Sequence, residues 1–340
     1  MNAEHGEALR NGWIDAFRGV AALSVALFHF NVIPFEGSAG PVTAAWRAAW
    51  SHGHLGVPVF FALSGYCVTC SWLRSAGWRR YAWRRARRIF PPYWSSLAVI
   101  VALAVARRVF AGANDVAHVP STPAAIAATL TMATQPFSHV ATMNWVYWTL
   151  TCEVSFYAVL MLALLAPGAR VLLLAGAHVA LCLAGALRLA PVQGPLFFVN
   201  YWPLFGAGAA LAVLASHRKA AVVMFAASAA AALLGNPDGP PGAAYAVAAF
   251  ATTLLIWLAR RGAMPRMVRP VRQLGVFSYS LYLMHVPLGV YGLMRLLPRG
   301  YPCDASYLAS QLLVLAGTIA LSWVFFRFAE RPFIGPPSVP

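Results

Sequence analysis

Residues 14–33 read IDAFRGVAALSVALFHFNVI, a mostly apolar run of the length, about 20 residues, that an α-helix needs to cross a bilayer. Similar stretches recur along the chain, and 60% of the 340 residues are hydrophobic while only 10% are charged. A soluble domain carries roughly 25% charged residues, and no stretch here is polar enough to form one. The sequence therefore predicts an all-α integral membrane protein in which residues 1–340 form a single transmembrane domain.

The apolar stretches predict about ten transmembrane helices. We predict spans near residues 14–33, 55–73, 92–110, 145–166, 170–190, 197–215, 219–235, 241–259, 273–294 and 306–327. The apolar stretch 123–133 is too short to span. We therefore predict a short re-entrant or interfacial helix there, within a long loop over residues 108–144.

Arginine and lysine predict the orientation, because membrane proteins concentrate them in cytoplasmic loops. With the N-terminus inside, the cytoplasmic segments hold most of the 25 basic residues, namely Arg10, Arg18, those from Arg74 to Arg88, Arg170, Arg218, Lys219, those from Arg260 to Arg272, Arg327 and Arg331. Both termini are then cytoplasmic, and the net charge of +16 needs no nucleic-acid partner. The excess of arginine over lysine indicates a GC-rich bacterial genome, and hence a bacterial plasma membrane.

The first predicted span carries Asp15, Arg18 and His29, and ionisable groups inside a membrane are functional hypotheses because they are rare and costly. Along a helix, Arg18 and His29 lie within about 20° of the same face and roughly 16 Å apart, and Asp15 shares that face. An extended acyl-coenzyme A could follow this stripe, with its phosphates at Arg18 and its reacting end at His29 acting as a general base. Alternatively, Arg18 extends to the membrane surface and His29 packs at the outer interface.

A basic motif, Arg84-Arg85-Ala86-Arg87-Arg88, precedes the predicted span 92–110. Guanidinium groups bind phosphate through paired hydrogen bonds, so Arg85 and Arg88 are candidates for binding the donor. The alternative is an ordinary cluster of cytoplasmic arginines. Pro91-Pro92 is expected to stiffen the start of the span and to fix the position of the cluster.

Glu153 is expected about 12 Å deep in its span by helical rise. A buried carboxylate must be paired or protonated, and Arg18, His29 and Tyr282 are the partners that we expect. Glu153 could orient a catalytic base or could only tie helices together, and the sequence does not choose between these roles.

Ser278, Tyr282 and His285 have the spacing of residues that share one helix face, and we expect that face to look into a cavity or into the core of the helical bundle. His285 could form a hydrogen bond between helices, which we favour, or take part in catalysis. Ser64, in the pair Ser64-Gly65, would allow close approach of two helices. As a nucleophile it would need a neighbouring base.

In order along the chain, these motifs resemble those of acyltransferase family 3, the integral-membrane enzymes that O-acylate sugars, polysaccharides and some antibiotics. The matching stretches are 14–29, 56–66, 85–91, 148–157, 278–285 and Glu330-Arg331-Pro332. Each is weak alone, but six in order and nearly end to end are specific. The chain departs from the family at Tyr66, where Phe is more frequent, and at Trp148-Thr149-Leu150, where Trp-Ser-Leu is usual.

The resemblance implies ten helices and an acyl-CoA donor that approaches from the cytoplasm. Its motif residues correspond here to Arg18, His29, Arg85, Arg88 and Glu153. Some members carry an additional extracytoplasmic esterase-like domain, which we do not expect in a chain that ends at Pro340. No metal is expected either.

We therefore predict an O-acyltransferase, in the simplest case an O-acetyltransferase, that uses acyl-CoA to modify a hydroxyl of a carbohydrate or glycosylated small molecule. His29 would accept the hydroxyl proton or carry the acyl group transiently, with Glu153 as a second catalytic residue. Asp15 would hold Arg18, while Ser64, Tyr282 and His285 would support the site. The competing hypothesis is a proton-coupled secondary transporter, but the chain shows no repeated halves.

Overall fold

The computed structural model describes residues 12–32, 40–235, 242–260, 268–297, 301 and 303–334, and no β-strand occurs among them. The α-helices are α1 (Gly12–Val32), α2 (Pro41–Trp50), α3 (Gly56–Leu73), α4 (Trp78–Ala111), α5 (Pro123–Leu130), α6 (Trp148–Ala163), α7 (Arg170–Ala186), α8 (Trp202–Val213), α9 (Arg218–Leu234), α10 (Ala243–Ala259), α11 (Arg269–Val276), α12 (Ser278–Met284) and α13 (Asp304–Phe325). The predicted all-α architecture is confirmed.

Within the described residues, six helical segments are long and apolar enough to cross a membrane, namely Gly12–Asn31, Pro41–Leu73, Trp78–Ala111, Trp145–Ala163, Pro167–Ala186 and Asp304–Phe333. Two shorter apolar helices cover Phe197–Val213 and Ala243–Ala259. The count of ten spans and the cytoplasmic position of both termini stay predictions. Some of the arginines behind that orientation, Arg10, Arg261 and Arg266, lie outside the described residues.

Helix α4 begins well before the span predicted for it. It is one continuous helix of 34 residues that contains Pro91 and Pro92. These prolines therefore lie inside a helix rather than at its start, and their stiffening of the start of the span stays a prediction. Membrane helices tolerate internal proline because neighbouring groups can satisfy the freed carbonyls. One consequence is that Arg85 and Arg88, three residues apart on a helix, point to the same side of it.

The predicted span 273–294 is interrupted. Helix α11 ends at Val276, α12 begins at Ser278, and the chain continues from His285 to Gly292 as a wider π-helical turn. Such π-helical turns occur frequently at functional sites. The break separates the polar residues of α12 from the basic helix α11.

Two close helix crossings set the positions of the polar residues. Where α1 crosses α11, a Cβ atom added to Gly275 would lie only 1.7 Å from the backbone oxygen of Asp15. Where α3 crosses α8, a Cβ atom on Gly65 would lie 2.0 Å from the backbone oxygen of Phe205. Only glycine permits these contacts, so the prediction that Ser64-Gly65 allows close helix approach is confirmed.

The long loop after α4 contains the short helix α5, as predicted for this stretch. The loop is fixed by Asp115, whose Oδ2 atom lies 2.9 Å from Nη2 of Arg107 and also contacts Nη1 of Arg295. The hydrogen bonds from Arg107 lower the pKa of the Asp115 carboxyl below its usual range. This ion-paired cluster holds the loop against the segment that follows the π-helical turn.

Candidate active site

Polar and charged side chains from five helices converge on one cavity inside the helical bundle. Its volume is about 80 Å³, which is room for several water molecules. Its polar lining comes from Arg18, Ser64, Arg88, Thr149, Glu153, Tyr157, Ser278, Tyr279 and Tyr282. The predicted site residues Arg18, Arg88, Glu153, Ser64 and Tyr282 are therefore brought together, although they come from α1, α3, α4, α6 and α12.

Two guanidinium groups face this cavity, and the carboxyl group of Glu330 lies near enough for its charge to interact with both. Among the described residues, neither Arg18 nor Arg88 forms a hydrogen bond or an ion pair. A cation removed from water needs a counter-charge or hydrogen-bond acceptors, and arginine matches phosphate and carboxylate geometry well. The cavity can therefore accept an anionic group.

Glu153 is held by two hydroxyl groups of the same cavity. Ser64 Oγ donates to Glu153 Oε1 at 2.9 Å, and the Tyr157 hydroxyl donates to the same oxygen. The prediction that Glu153 pairs with Arg18, His29 or Tyr282 is therefore wrong, because its hydrogen bonds to described residues come from Ser64 and Tyr157. Glu153 therefore places a carboxyl group, already bound by two hydroxyls, in the same cavity as the two arginines.

Two other predicted residues lie next to the cavity but do not line it. Arg85 packs over the ring of Tyr157, with its Cζ atom 5.4 Å from the ring centre, and its buried Nε atom has no hydrogen-bond partner among the described residues. Asp15 pairs with Arg272, with its Oδ2 atom 3.8 Å from Nε. Among the described residues Asp15 forms no ion pair with Arg18, although the charge of Arg18 acts on its carboxyl group, so the expectation that Asp15 holds Arg18 stays a prediction.

At the other end of α1, His29 forms a pair with His285. His29 Nδ1 lies 2.9 Å from the backbone oxygen of Val25 and 3.1 Å from His285 Nε2. His285 Nδ1 lies 2.7 Å from the backbone oxygen of Tyr282. The interpretation that we favoured for His285, a hydrogen bond between helices, is thus confirmed, and the partner is His29.

These distances assign the protons of both rings. A backbone carbonyl can only accept, so His29 Nδ1 and His285 Nδ1 each carry a hydrogen. His29 Nδ1 cannot then accept from His285, and His285 Nε2 must be the acceptor of their shared hydrogen bond. His29 Nε2 makes no hydrogen bond to a described residue, so a neutral His29 presents a free lone pair there.

Tyr282 separates the cavity from the histidine pair. Its side chain lines the cavity, its ring centre lies 5.5 Å from that of His285, and its hydroxyl lies 2.7 Å from Thr149 Oγ1. Neither His29 nor His285 lines the cavity. The face predicted to look into a cavity or the bundle core does both, because Ser278 and Tyr282 line the cavity and His285 is buried in the bundle. A route from Arg18 to His29 has to pass Tyr282.

Glu330, which the sequence analysis named only as part of a family motif, supports the site. Its side chain is buried, and its Oε2 atom accepts from the backbone N–H of Ser280 at 3.1 Å and from the Ser280 hydroxyl. A carboxylate at the first turn of a helix satisfies N–H groups that lack helical partners. Glu330 therefore fixes the start of α12, and a buried acid at the end of a predicted span was the signal that could have identified it.

Comparison with known proteins agrees with this geometry. The model of acyltransferase family 3, described as an acyltransferase domain, matches residues 11–327, a range that contains the cavity and both histidines. No curated protein and no solved structure gives a match. A family match over nearly the whole chain confirms the resemblance seen in the motifs. The chain belongs to acyltransferase family 3 and is a multi-pass membrane acyltransferase.

Proposed function

We propose that the protein transfers an acyl group, in the simplest case acetyl, from acyl-CoA to a hydroxyl group of a carbohydrate or glycosylated small molecule. The observation that carries the proposal is the division of α1 into two chemical ends. One end presents Arg18 to a cavity that also holds Arg88, and the other presents the free Nε2 atom of His29. A polyanionic thioester donor and a hydroxyl acceptor require such a pair of sites.

The donor binds at the arginine end. Arg18 and Arg88 pair with phosphate oxygens of coenzyme A, since guanidinium–phosphate contacts are short and strong. Arg85 supports them through Tyr157, over whose ring it packs. We assign Glu153 to this end rather than to proton transfer at His29, because its hydrogen-bond partners Ser64 and Tyr157 both line the donor cavity.

The acyl-bearing arm of the donor then runs along α1 toward His29, over roughly 16 Å of helical rise. Tyr282 lies on this path, so its side chain must turn aside when the donor is bound. The Tyr282 hydroxyl is held by Thr149 and by the backbone oxygen of Val146, 3.2 Å away. Both are single neutral hydrogen bonds, which are modest in net strength.

The chemical step is direct transfer with His29 as general base. His29 Nε2 accepts the proton of the acceptor hydroxyl while the hydroxyl oxygen bonds to the thioester carbonyl carbon. The carbon–sulfur bond breaks, and the thiolate leaves as free coenzyme A after taking that proton from the imidazolium. His285 is a positioning residue, because its Nε2 atom holds the His29 Nδ1–H and so directs Nε2 of His29 outward.

We further propose ten spans with both termini in the cytoplasm of a bacterium, and the plasma membrane as the location. The arrangement is supported by the distribution of basic residues and by the Arg18 end of α1 lying beside the arginine-rich start of α4. Acyl-CoA would then reach the cavity from the cytoplasm.

The test measures coenzyme A release from acetyl-CoA by the purified protein in lipid nanodiscs, with methyl glycosides as acceptors. Wild type should release coenzyme A, and His29→Ala should lower kcat by about 10²- to 10⁴-fold, the range typical of a lost general base. His217→Ala, at an exposed histidine at the start of α9, is the matched control and should keep full activity. If wild type releases no coenzyme A but couples proton flux to solute uptake in proteoliposomes, the protein is a transporter instead.

A further inference from the structure

The histidine end of α1 is surrounded by aromatic side chains that the transfer step described above does not use. The Trp145 ring centre lies 6.1 Å from that of His29, and 44% of Trp145 is exposed. Tyr291 meets the Trp145 ring edge-on at 5.5 Å, which fixes the orientation of the indole. An exposed indole with a fixed orientation thus lies beside the ring of His29, whose Nε2 atom would take the proton from the acceptor hydroxyl.

The aromatic surface continues from His29 through Phe28. The two ring centres are 5.2 Å apart, and the ring of His54 lies 5.1 Å from that of Phe28. His54 stacks in turn on Tyr245 at 5.8 Å. The surface thus extends over several rings, an area suited to a ring-shaped ligand rather than to a single small hydroxyl compound.

Hydrogen-bonding groups lie at the edge of these rings. His54 Nδ1 lies 3.2 Å from the backbone oxygen of Ser51 and therefore carries the hydrogen, which leaves His54 Nε2 as a free acceptor. His52 is exposed beside it. Trp145 directly follows the long loop that contains Asp115, so this surface lies where the helices meet the aqueous phase.

We propose that Trp145 is the stacking platform of the acceptor site, and that the acceptor is a sugar ring that lies on the indole and presents one hydroxyl to His29 Nε2. One face of a pyranose ring carries mainly C–H groups, whereas its hydroxyls project from the edge. An indole buries the apolar face at a low cost in side-chain entropy, and His54 Nε2 accepts from a second hydroxyl. This inference rests on the proposed function and names the subsite that selects its acceptor.

The experiment compares Trp145→Ala and Trp145→Phe with wild type in the coenzyme A release assay, using acetyl-CoA and the methyl pyranosides of glucose, galactose, mannose and rhamnose. For the glycoside that wild type uses best, Trp145→Ala should raise the glycoside KM by about tenfold. The KM for acetyl-CoA should stay within about twofold, because the donor binds at the other end of α1. Trp145→Phe should recover most of the glycoside affinity, since it keeps a ring.

Trp257→Ala is the matched control, because Trp257 is similarly exposed (46%) but lies in α10 against an apolar groove. It should leave both KM values unchanged. The proposal is overturned if Trp145→Ala leaves the glycoside KM unchanged or raises both KM values equally, as a mere membrane-interface tryptophan would. It is also overturned if wild type releases coenzyme A and no glycoside stimulates the release. If wild type releases no coenzyme A at all, the proposed function fails together with the proposal for Trp145.

Discussion

The two ends of helix α1 differ in the kind of chemistry that surrounds them. Around Arg18, charged and hydroxyl-bearing side chains gather among apolar ones, and neither of the two guanidinium groups forms a hydrogen bond or an ion pair with a described residue. Around His29, the neighbours are aromatic rings and a second neutral imidazole. One end is therefore suited to holding an anion and the other to holding a base in its uncharged form.

This difference shows how a membrane enzyme can separate binding from proton transfer. A fixed cation close to the base would disfavour the protonated imidazolium that forms during the reaction. Along α1, about 16 Å of helix separates Arg18 from His29, so the charges that bind the donor act only weakly on the base. Substitutions at the Arg18 end should therefore leave proton transfer at His29 intact, and substitutions at the His29 end should leave donor binding intact.

Among variants that leave His29 in place, the largest effect is expected at the arginine end. Arg18→Gln and Arg88→Gln should each raise the KM for acetyl-CoA by about 10- to 100-fold, because each removes a charged hydrogen-bonding group from the donor phosphates. The glycoside KM should change little. Steady-state kinetics with each substrate varied in turn measures both values.

Arg80→Gln is the matched control for these variants, because Arg80 is an exposed arginine of the same helix α4 and does not line the cavity. It should leave the acetyl-CoA KM as in wild type. An equal rise in all three variants would mean that general surface charge attracts the donor, and the cavity would lose its assigned role.

A smaller effect is expected from the positioning residue at the histidine end. His285→Ala should lower kcat by about tenfold with both KM values retained, since it removes one oriented hydrogen bond. The loss is limited because the His29 Nδ1–H still donates to Val25. His285→Gln should recover much of the rate, because its side-chain oxygen can accept from His29. Equal kcat values for the Ala and Gln variants would contradict the positioning role.

The smallest effect is expected at Ser64, whose hydroxyl donates to Glu153. Ser64→Ala should change kcat by less than about fivefold, because Tyr157 still holds the carboxyl group of Glu153. The variant also tests the alternative in which Glu153 acts as a base for Ser64 as a nucleophile. A loss of a thousandfold or more, with an acyl group trapped on Ser64 in wild type, would move the chemistry to the arginine end.

Much of the fold could be predicted because span length and apolar character are local properties. The helices Gly12–Val32 and Gly56–Leu73 begin and end within two residues of the predicted spans. The start of α4 was missed because arginines and prolines resemble a loop in sequence, although a helix longer than the bilayer accommodates both. The interruption at Phe277 was missed because residues 273–284 contain no proline that would signal a break in the helix.

The sequence predicted which residues belong to the site better than it predicted the contacts between them. An ionisable residue in an apolar span is conspicuous, so Arg18, His29 and Glu153 could be identified one by one. Their partners could not, because His29 and His285 or Ser64 and Glu153 meet only through packing between helices distant in sequence. The separation of His285 from the cavity likewise depends on where the Tyr282 ring lies.

The most direct test of the central claim is the equilibrium affinity for free coenzyme A, measured by calorimetry on the protein in nanodiscs. The two-ended arrangement of α1 predicts that His29→Ala binds coenzyme A within about twofold of wild type while being inactive, and that Arg88→Gln binds at least tenfold more weakly. Loss of coenzyme A binding in His29→Ala, or unchanged binding in Arg88→Gln, would contradict it.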